Sequence, residues 1–386
     1  MKKKYVMAPG PTPIPSEVLA EAGQPIIHHR TPQFQEILKA SEIALQKIFR
    51  TNHPVIIFPS VGTGAMESAV ANLTSPGETV LVASSGHFGN RWKEICQAFQ
   101  VQVDHYETEW GKPIDSMEVQ KRLKANSNIH LVFSTFSETS TGVRNDIQAL
   151  AKVTQAQNAL LVVDAISGLG AMPLETDLWG VDVVVAGSQK GFMIPPGLSF
   201  VSVSPKALEK SKNSKSPKYY FSYEKSVKKL VEGKSPDTPF TPAITLVIQL
   251  RKALELIEKE GIENVWKRHE ILARMTRTAV KALGLPLLAP DSPSDALTAV
   301  SCPEGLDGGA VSKMFRDDYG ISIAGGQGKL TGKIFRMGHL GYIDSSDVIL
   351  GIATLEMVLN RLGKSVPLGA GVKTVQEIIL KENIKF

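Results

Sequence analysis

Between residues 55 and 204 the chain repeats one pattern: a short β-branched run, a turn, then a stretch with apolar residues three or four apart. "VIIFP" (55–59) precedes "AMESAVANL", and "TVLVAS" (79–84) precedes "FGNRWKEICQAF". "QVQVDHY" leads to "DSMEVQKRLKA", and "IHLVFST" (129–135) to "DIQALAKVTQA". "ALLVVDA" (159–165), "VDVVVAGS" (181–188) and "LSFVSVS" (198–204) follow. Runs apolar on both faces and joined by helical crossovers make a mostly parallel sheet, covered on both sides. The last run follows its predecessor after a Gly/Pro turn too short for a crossover, so it is expected to lie antiparallel.

Past residue 240 the pattern changes. "AITLVIQLRKALELIEKEG" and "ENVWKRHEILARMTRTAVKALG" read as long helices. Short strands follow ("LTAVSCP", "ISIAGG", "KIFRMGHLG"), then a last helix, "SDVILGIATLEMVLNRLG". The expectation is an N-terminal segment over 1–16, a large α/β domain over 17–260 and a smaller α+β domain over 261–386, with a boundary near Gly261. At 42% apolar and 21% charged residues the composition suits a sizeable core. No apolar run is long enough to span a bilayer, and "MKKKYVMAPG" lacks the apolar stretch of a signal peptide, so a cytoplasmic protein is expected. The net charge of +5 is modest. The one basic concentration, "KALEKSKNSKSPKYY", reads as a solvated face rather than a nucleic-acid patch. Cys96 and Cys302 stand alone, which excludes a disulfide framework and a Cys-x-x-Cys metal pair.

Ligands of an open parallel sheet bind outside the carboxyl ends of its strands, so the residues there carry the functional question. The first strand is followed by "SVGTGAME", placing Gly62 and Thr63 before a helix whose free N–H groups suit a phosphate. The second is followed by "SGHFGNR", with Phe88 between glycines. "SETSTG" supplies a cluster of hydroxyls, Asp164 ends an apolar strand, and "AGSQKG" ends another on Ser188, Gln189 and Lys190. Taken singly, each reads as local structure: a turn, an N-cap, a core ring, a surface lysine. Together they set an anion cradle, an aromatic face, an acid and an amine along one sheet edge. That set fits pyridoxal 5'-phosphate, which needs a lysine amine and an acid for its ring nitrogen. There is no G-x-x-x-x-G-K-[ST] and no G-x-G-x-x-G at a first βα turn, so P-loop and dinucleotide sites do not fit.

The ordered series "APGPTPIP", "HHRTPQF", "GTGAMES", "SSGHFGNRW", "SETSTGV", "VVDAISGLG", "AGSQKG" and "GGQGKLTGKIFRMGHLG" resembles the class V, fold-type I aminotransferases. Within them it is similar to the alanine/serine–glyoxylate (or –pyruvate) group. The resemblance covers nearly the whole chain and implies a seven-stranded, mostly parallel sheet flanked by helices. It also implies a homodimer with shared active sites. In its terms Lys190 is the lysine that carries the cofactor and Asp164 the partner of the ring nitrogen. Phe88 takes the stacking position, Thr139 stands near the cofactor's phenolic oxygen, and Gly62, Thr63 and Gln189 contact the phosphate. Thr241, in "TPFTPA", matches a residue that relatives donate to the phosphate from the other subunit. Arg336 matches the arginine that binds the substrate carboxylate.

Two departures stand out. Val61 replaces a serine of many relatives, and Thr238 a second cross-subunit tyrosine; Arg30 gains no role beyond a structural one. The implied reaction is transamination between a small amino acid, alanine or serine, and glyoxylate or pyruvate. No second arginine matches a side-chain clamp, so glutamate and aspartate are expected to be poor donors. Aminoethylphosphonate–pyruvate and ureidoglycine–glyoxylate transaminases are not separated by motif. A desulfurase needs a cysteine on a mobile loop, and Cys96 and Cys302 read as helix and strand. Some sequences of this group carry the label of a soluble hydrogenase subunit, yet a nickel–iron or iron–sulfur site needs several cysteine ligands.

Overall fold

The computed structural model describes residues 3–231 and 235–384; the outermost ends of the segments expected at 1–16 and 261–386 lie outside them. Seven strands form the central sheet: β1 (Val55–Phe58), β2 (Thr79–Ser84), β3 (Gln102–Glu107), β4 (Leu131–Thr135), β5 (Leu160–Asp164), β6 (Val183–Gly187) and β7 (Ser199–Val203). Their order is β1-β7-β6-β5-β4-β2-β3. The pairs from β6 through β3 are parallel, and β7 runs antiparallel to both β6 and β1.

Every residue of β4, β6 and β7 is buried, because alternate side chains enter two different cores. Leu81, Val132, Leu161, Val163, Val184 and Phe200 face one layer, which includes helix α1 (Pro32–Phe49). Val80, Val82, Phe133, Val162, Val185 and Val201 face the other, which holds α2 (Gly62–Leu73) and α3 (His87–Ala98). Each such side chain contributes roughly 1.5–3 kcal/mol by burial, so the strand ends that carry the site rest on a rigid floor.

Beyond the sheet run α4 (Ile244–Glu260) and α5 (Ile262–Ala282), separated by Gly261 at φ 85°. A further core gathers Leu272, Met275, Phe315, Phe335, Ile352, Leu355 and Ile379. It covers a small antiparallel sheet of β8 (Leu297–Ser301), β9 (Ala324–Gly325) and β10 (Ile334–Gly338), ordered β8-β10-β9. Cys302 lies one residue past β8 rather than within it, and Cys96 is inside α3. The N-terminal segment joins both parts. Tyr5–Val6 pairs with Ile321–Ser322, and Met7 enters the C-terminal core. Farther along, Thr12 donates its N–H to the Gln189 carbonyl (3.1 Å) and its hydroxyl to that of Lys190 (3.1 Å). No helix among the described residues is long and apolar enough to cross a membrane.

Candidate active site

One cavity opens at the carboxyl ends of β1, β2, β5 and β6. Its lining includes Gly62, Thr63, Phe88, Thr139, Asp164, Gln189 and Lys190, together with Gly10 and Pro11 of the N-terminal segment.

Lys190 follows β6 after a tight turn in which the Ser188 hydroxyl donates to the Pro195 carbonyl (2.7 Å) and accepts the Leu198 N–H (3.2 Å). The glycine after the lysine has a steric cause. A Cβ on Gly191 would lie 2.5 Å from the Leu169 carbonyl oxygen, so only glycine lets the two loops approach. Gly10 is the second such contact. At φ 124° its Cβ would lie 2.4 Å from Lys190 Cδ, and the neighbouring Pro9 carbonyl accepts a hydrogen bond from Lys190 Nζ. Lys190 is 9% exposed. Burial, and then the charge of Arg336, bring its amine down to about 8, so the neutral nucleophile is accessible near neutral pH.

Asp164 ends β5, 4% exposed, with Oδ1 accepting the Ile166 N–H at 2.8 Å. Burial, with a smaller push from Glu138, raises its carboxyl to about 7 despite that bond. A buried acid held this high is stabilised as an anion by any cation brought beside it.

Phe88 sits in the first turn of α3, and the helix start is held by "SETS". Glu138 accepts the N–H of Phe88 (3.2 Å), of Gly89 (2.8 Å) and of Ser140 (3.0 Å). Ser140 Oγ accepts the His87 N–H at 2.9 Å and donates to Glu138. The hydroxyl cluster therefore divides: Ser140 caps a helix, Ser137 pairs with Ser294, and Thr139 lines the cavity, hydrogen-bonded to Ser167.

Arg336 projects from β10 and is 4% exposed. Its Nε and Nη2 donate to the Gly325 carbonyl (2.9 and 2.7 Å), and its Nη1 to that of Thr139 (2.8 Å). Three of five donors are thus used on carbonyls, which orient the fork and leave one N–H on each terminal nitrogen. No carboxylate among the described residues pairs with it. Burial, opposed by the charge of Glu138, lowers the guanidinium to about 10.

The phosphate side also has partners to spare. Val61, partly exposed at the cavity lining, offers α2 no side-chain cap, and no described group accepts the N–H of Gly62 or Thr63. Gln189 lines the same cavity, where the N–H groups of its amide can donate to an anion; its Oε1, buried without a hydrogen-bond partner, is an acceptor and takes no part in holding one. An unpaired helix start, a destabilised acid and an amine whose proton is loosened by burial, all in one cavity, fit pyridoxal phosphate.

Not every expected residue comes here. Thr238 and Thr241 line a separate, largely apolar pocket with Leu38, Ile56, Phe58, Tyr220 and Phe240. Beside them Arg30 pairs with Asp237. Three lining residues, Arg91, Ile166 and Ser167, escape sequence reasoning. Ile166 and Ser167 directly follow Asp164, and Arg91 lies one turn beyond Phe88, so helical spacing is the signal that could have found it.

Residues 5–337 match the profile of the family described as Aminotransferase class-V. The chain is 41% identical over 382 residues to the "Soluble hydrogenase, small subunit" of Synechococcus sp., covering 98% of each. It is 39% identical to the L-aspartate–glyoxylate aminotransferase of Paracoccus denitrificans (96% of this chain, 95% of the relative). To the serine–glyoxylate aminotransferase of Hyphomicrobium methylovorum it is 38% identical (99% and 96%). Among solved structures, the ureidoglycine–glyoxylate aminotransferase of Bacillus subtilis superposes with a TM-score of 0.93 at 26% identity, covering 98% of this chain and 99% of that one.

Proposed function

Because the chain belongs to the class V aminotransferases, a family that works with pyridoxal 5'-phosphate, we propose that it moves an amino group from alanine or serine to glyoxylate or pyruvate. The observation that carries this reading is the placement of Lys190 and Asp164 in one cavity. Both are buried at one strand edge with opposite shifts, one toward a free amine and one toward a carboxyl that calls for a cation. When bound, the cofactor supplies an aldehyde that exchanges amines and a ring that draws electrons. Asp164 would hold a proton on the cofactor's ring nitrogen, and Phe88 would offer its face to the ring. Thr139 would serve the phenolic oxygen, while Gly62, Thr63 and Gln189 would hold the phosphate. Lys190 would hold the cofactor's aldehyde carbon and, as a free amine, would move the proton of the substrate Cα. Arg336 uses its two remaining N–H groups to grip the α-carboxylate, which orients that Cα–H bond.

The same reading makes the protein a cytoplasmic homodimer in which Thr241 reaches the partner's phosphate. Its support is the placing of Thr238 and Thr241 away from this chain's own cavity, beside exposed Tyr219 and Tyr220. The division at 1–16, 17–260 and 261–386 belongs to the proposal as well, supported by the separate core of Leu272 to Ile379. A hydrogenase role has no chemical footing in the two cysteines, whose thiols burial pushes up to about 12 (Cys96) and about 11 (Cys302).

A second reading, a dicarboxylic donor, has two observations in its favour: Arg91 in the cavity lining and the Paracoccus relative's name. An amino-donor screen against glyoxylate and pyruvate separates the two. Alanine or serine is expected to turn over fastest, and aspartate or glutamate as the best donor contradicts the first reading.

A further inference from the structure

The residues assigned above to the phosphate on this chain, Gly62, Thr63 and Gln189, are all neutral. A phosphate monoester carries about −1.5 to −2 charges near neutral pH. Hydrogen-bond donors alone leave that charge without a counter-ion in a partly enclosed cavity, where unpaired charge is costly. The lining holds two cations, Lys190 and Arg91. Lys190 is turned to the Pro9 carbonyl.

Arg91 is placed differently. It stands three residues after Phe88 on α3, so both project from one helix face. Its Nη1 donates to Thr63 Oγ1 at 3.2 Å, in the first turn of α2, next to the two N–H groups that lack acceptors. Its guanidinium carbon lies 4.8 Å from the centre of the Phe88 ring, a cation–π contact that limits its freedom. No carboxylate among the described residues pairs with it. Four further N–H donors therefore remain on a half-buried cation tied to the anion cradle. Arg336 lies outside this lining and bonds the Thr139 carbonyl instead, so the two arginines mark separate anion positions.

We propose that Arg91 is the counter-ion of the cofactor's phosphate, a binding role resting on the reading that this cavity takes pyridoxal phosphate. It is not a clamp for a second substrate carboxylate. Guanidinium and phosphate match as a charge-assisted fork, and the Thr63 hydroxyl sets the fork's direction.

The test titrates cofactor-free protein with pyridoxal phosphate and, separately, with pyridoxal, which has the same aldehyde and ring but no phosphate. Wild type, Arg91→Ala and Arg91→Lys are compared by the absorbance of the lysine adduct. Arg91→Ala is expected to weaken pyridoxal phosphate binding about tenfold or more, roughly 1.4 kcal/mol. It should leave pyridoxal binding nearly unchanged, and Arg91→Lys should recover part of the loss. Inorganic phosphate, against chloride at equal ionic strength, should raise the Tm of cofactor-free wild type but not of Arg91→Ala. An equal loss for both aldehydes means that Arg91 only holds Phe88 in place, and the proposal falls. It falls equally if cofactor affinity is unchanged while the KM for aspartate rises. If wild type takes up neither aldehyde, the cofactor reading itself fails; uptake with no phosphate discrimination on mutation overturns the Arg91 assignment alone.

Discussion

The ends of β5 and β6 and the segment from Asp237 to Pro242 contribute to the proposed site in opposite ways. Asp164 and Lys190 are each at most 9% exposed, placed by strands buried on both faces and by glycines that tolerate no side chain. Thr238 and Thr241 lie in an irregular stretch where Thr238 bonds its own neighbours, Asp237 and Phe240. The first region is complete within one chain; the second lines a pocket of its own. Chemistry that needs a fixed amine and a fixed acid sits on the rigid sheet. What is left to the segment is an auxiliary contact, and in the proposed dimer it serves the neighbouring chain.

The largest effect should come from the rigid side. Asp164→Asn keeps the shape and removes the charge, so the cofactor should still bind. Turnover should fall on the order of a hundredfold, as when a preorganised electrostatic partner is removed. Single-turnover absorbance with alanine measures this, and near-normal turnover would break the distinction between acid and scaffold. Arg336→Ala comes next. Loss of a buried charged pair costs roughly 2–5 kcal/mol, so kcat/KM for alanine should drop at least about tenfold. Simple amines without a carboxylate should react in the half-reaction almost as before. An unchanged alanine efficiency would detach Arg336 from the substrate.

The smallest effect belongs to the segment. Thr241→Val removes one hydroxyl, worth roughly 0.5–1.5 kcal/mol, and should weaken cofactor retention only a few-fold. That loss should be repaired in mixed dimers that supply an intact Thr241 from one chain and an intact Lys190 from the other. A change confined to the mutated chain's own site would sharpen the comparison the other way, toward a single-chain role.

The same contrast explains what could be read without coordinates. Uninterrupted β-branched runs have few alternatives to a buried strand, so the seven strands, the antiparallel β7 and the acids and amines at their ends follow from local pattern. That β7 inserts between β1 and β6 does not, since strand order rests on non-local pairing. "SETSTG" reads as cavity hydroxyls, yet most of it serves the start of α3 through Glu138 and Ser140, because the loop and the helix meet only in the fold. Arg91 draws no reading from the sequence, because its reach to Thr63 depends on how α2 and α3 pack. Arg336 is recognisable from its motif, whereas the three carbonyl contacts that aim it come from β9 and the "SETS" loop.

Lys190 is central to the proposed site as the amine that carries the cofactor. Borohydride reduction of the yellow protein, followed by peptide mapping, tests it directly. One modified peptide containing Lys190 is expected, and neither colour nor modification in Lys190→Ala. A modified peptide lacking Lys190, or full incorporation into Lys190→Ala, would contradict it.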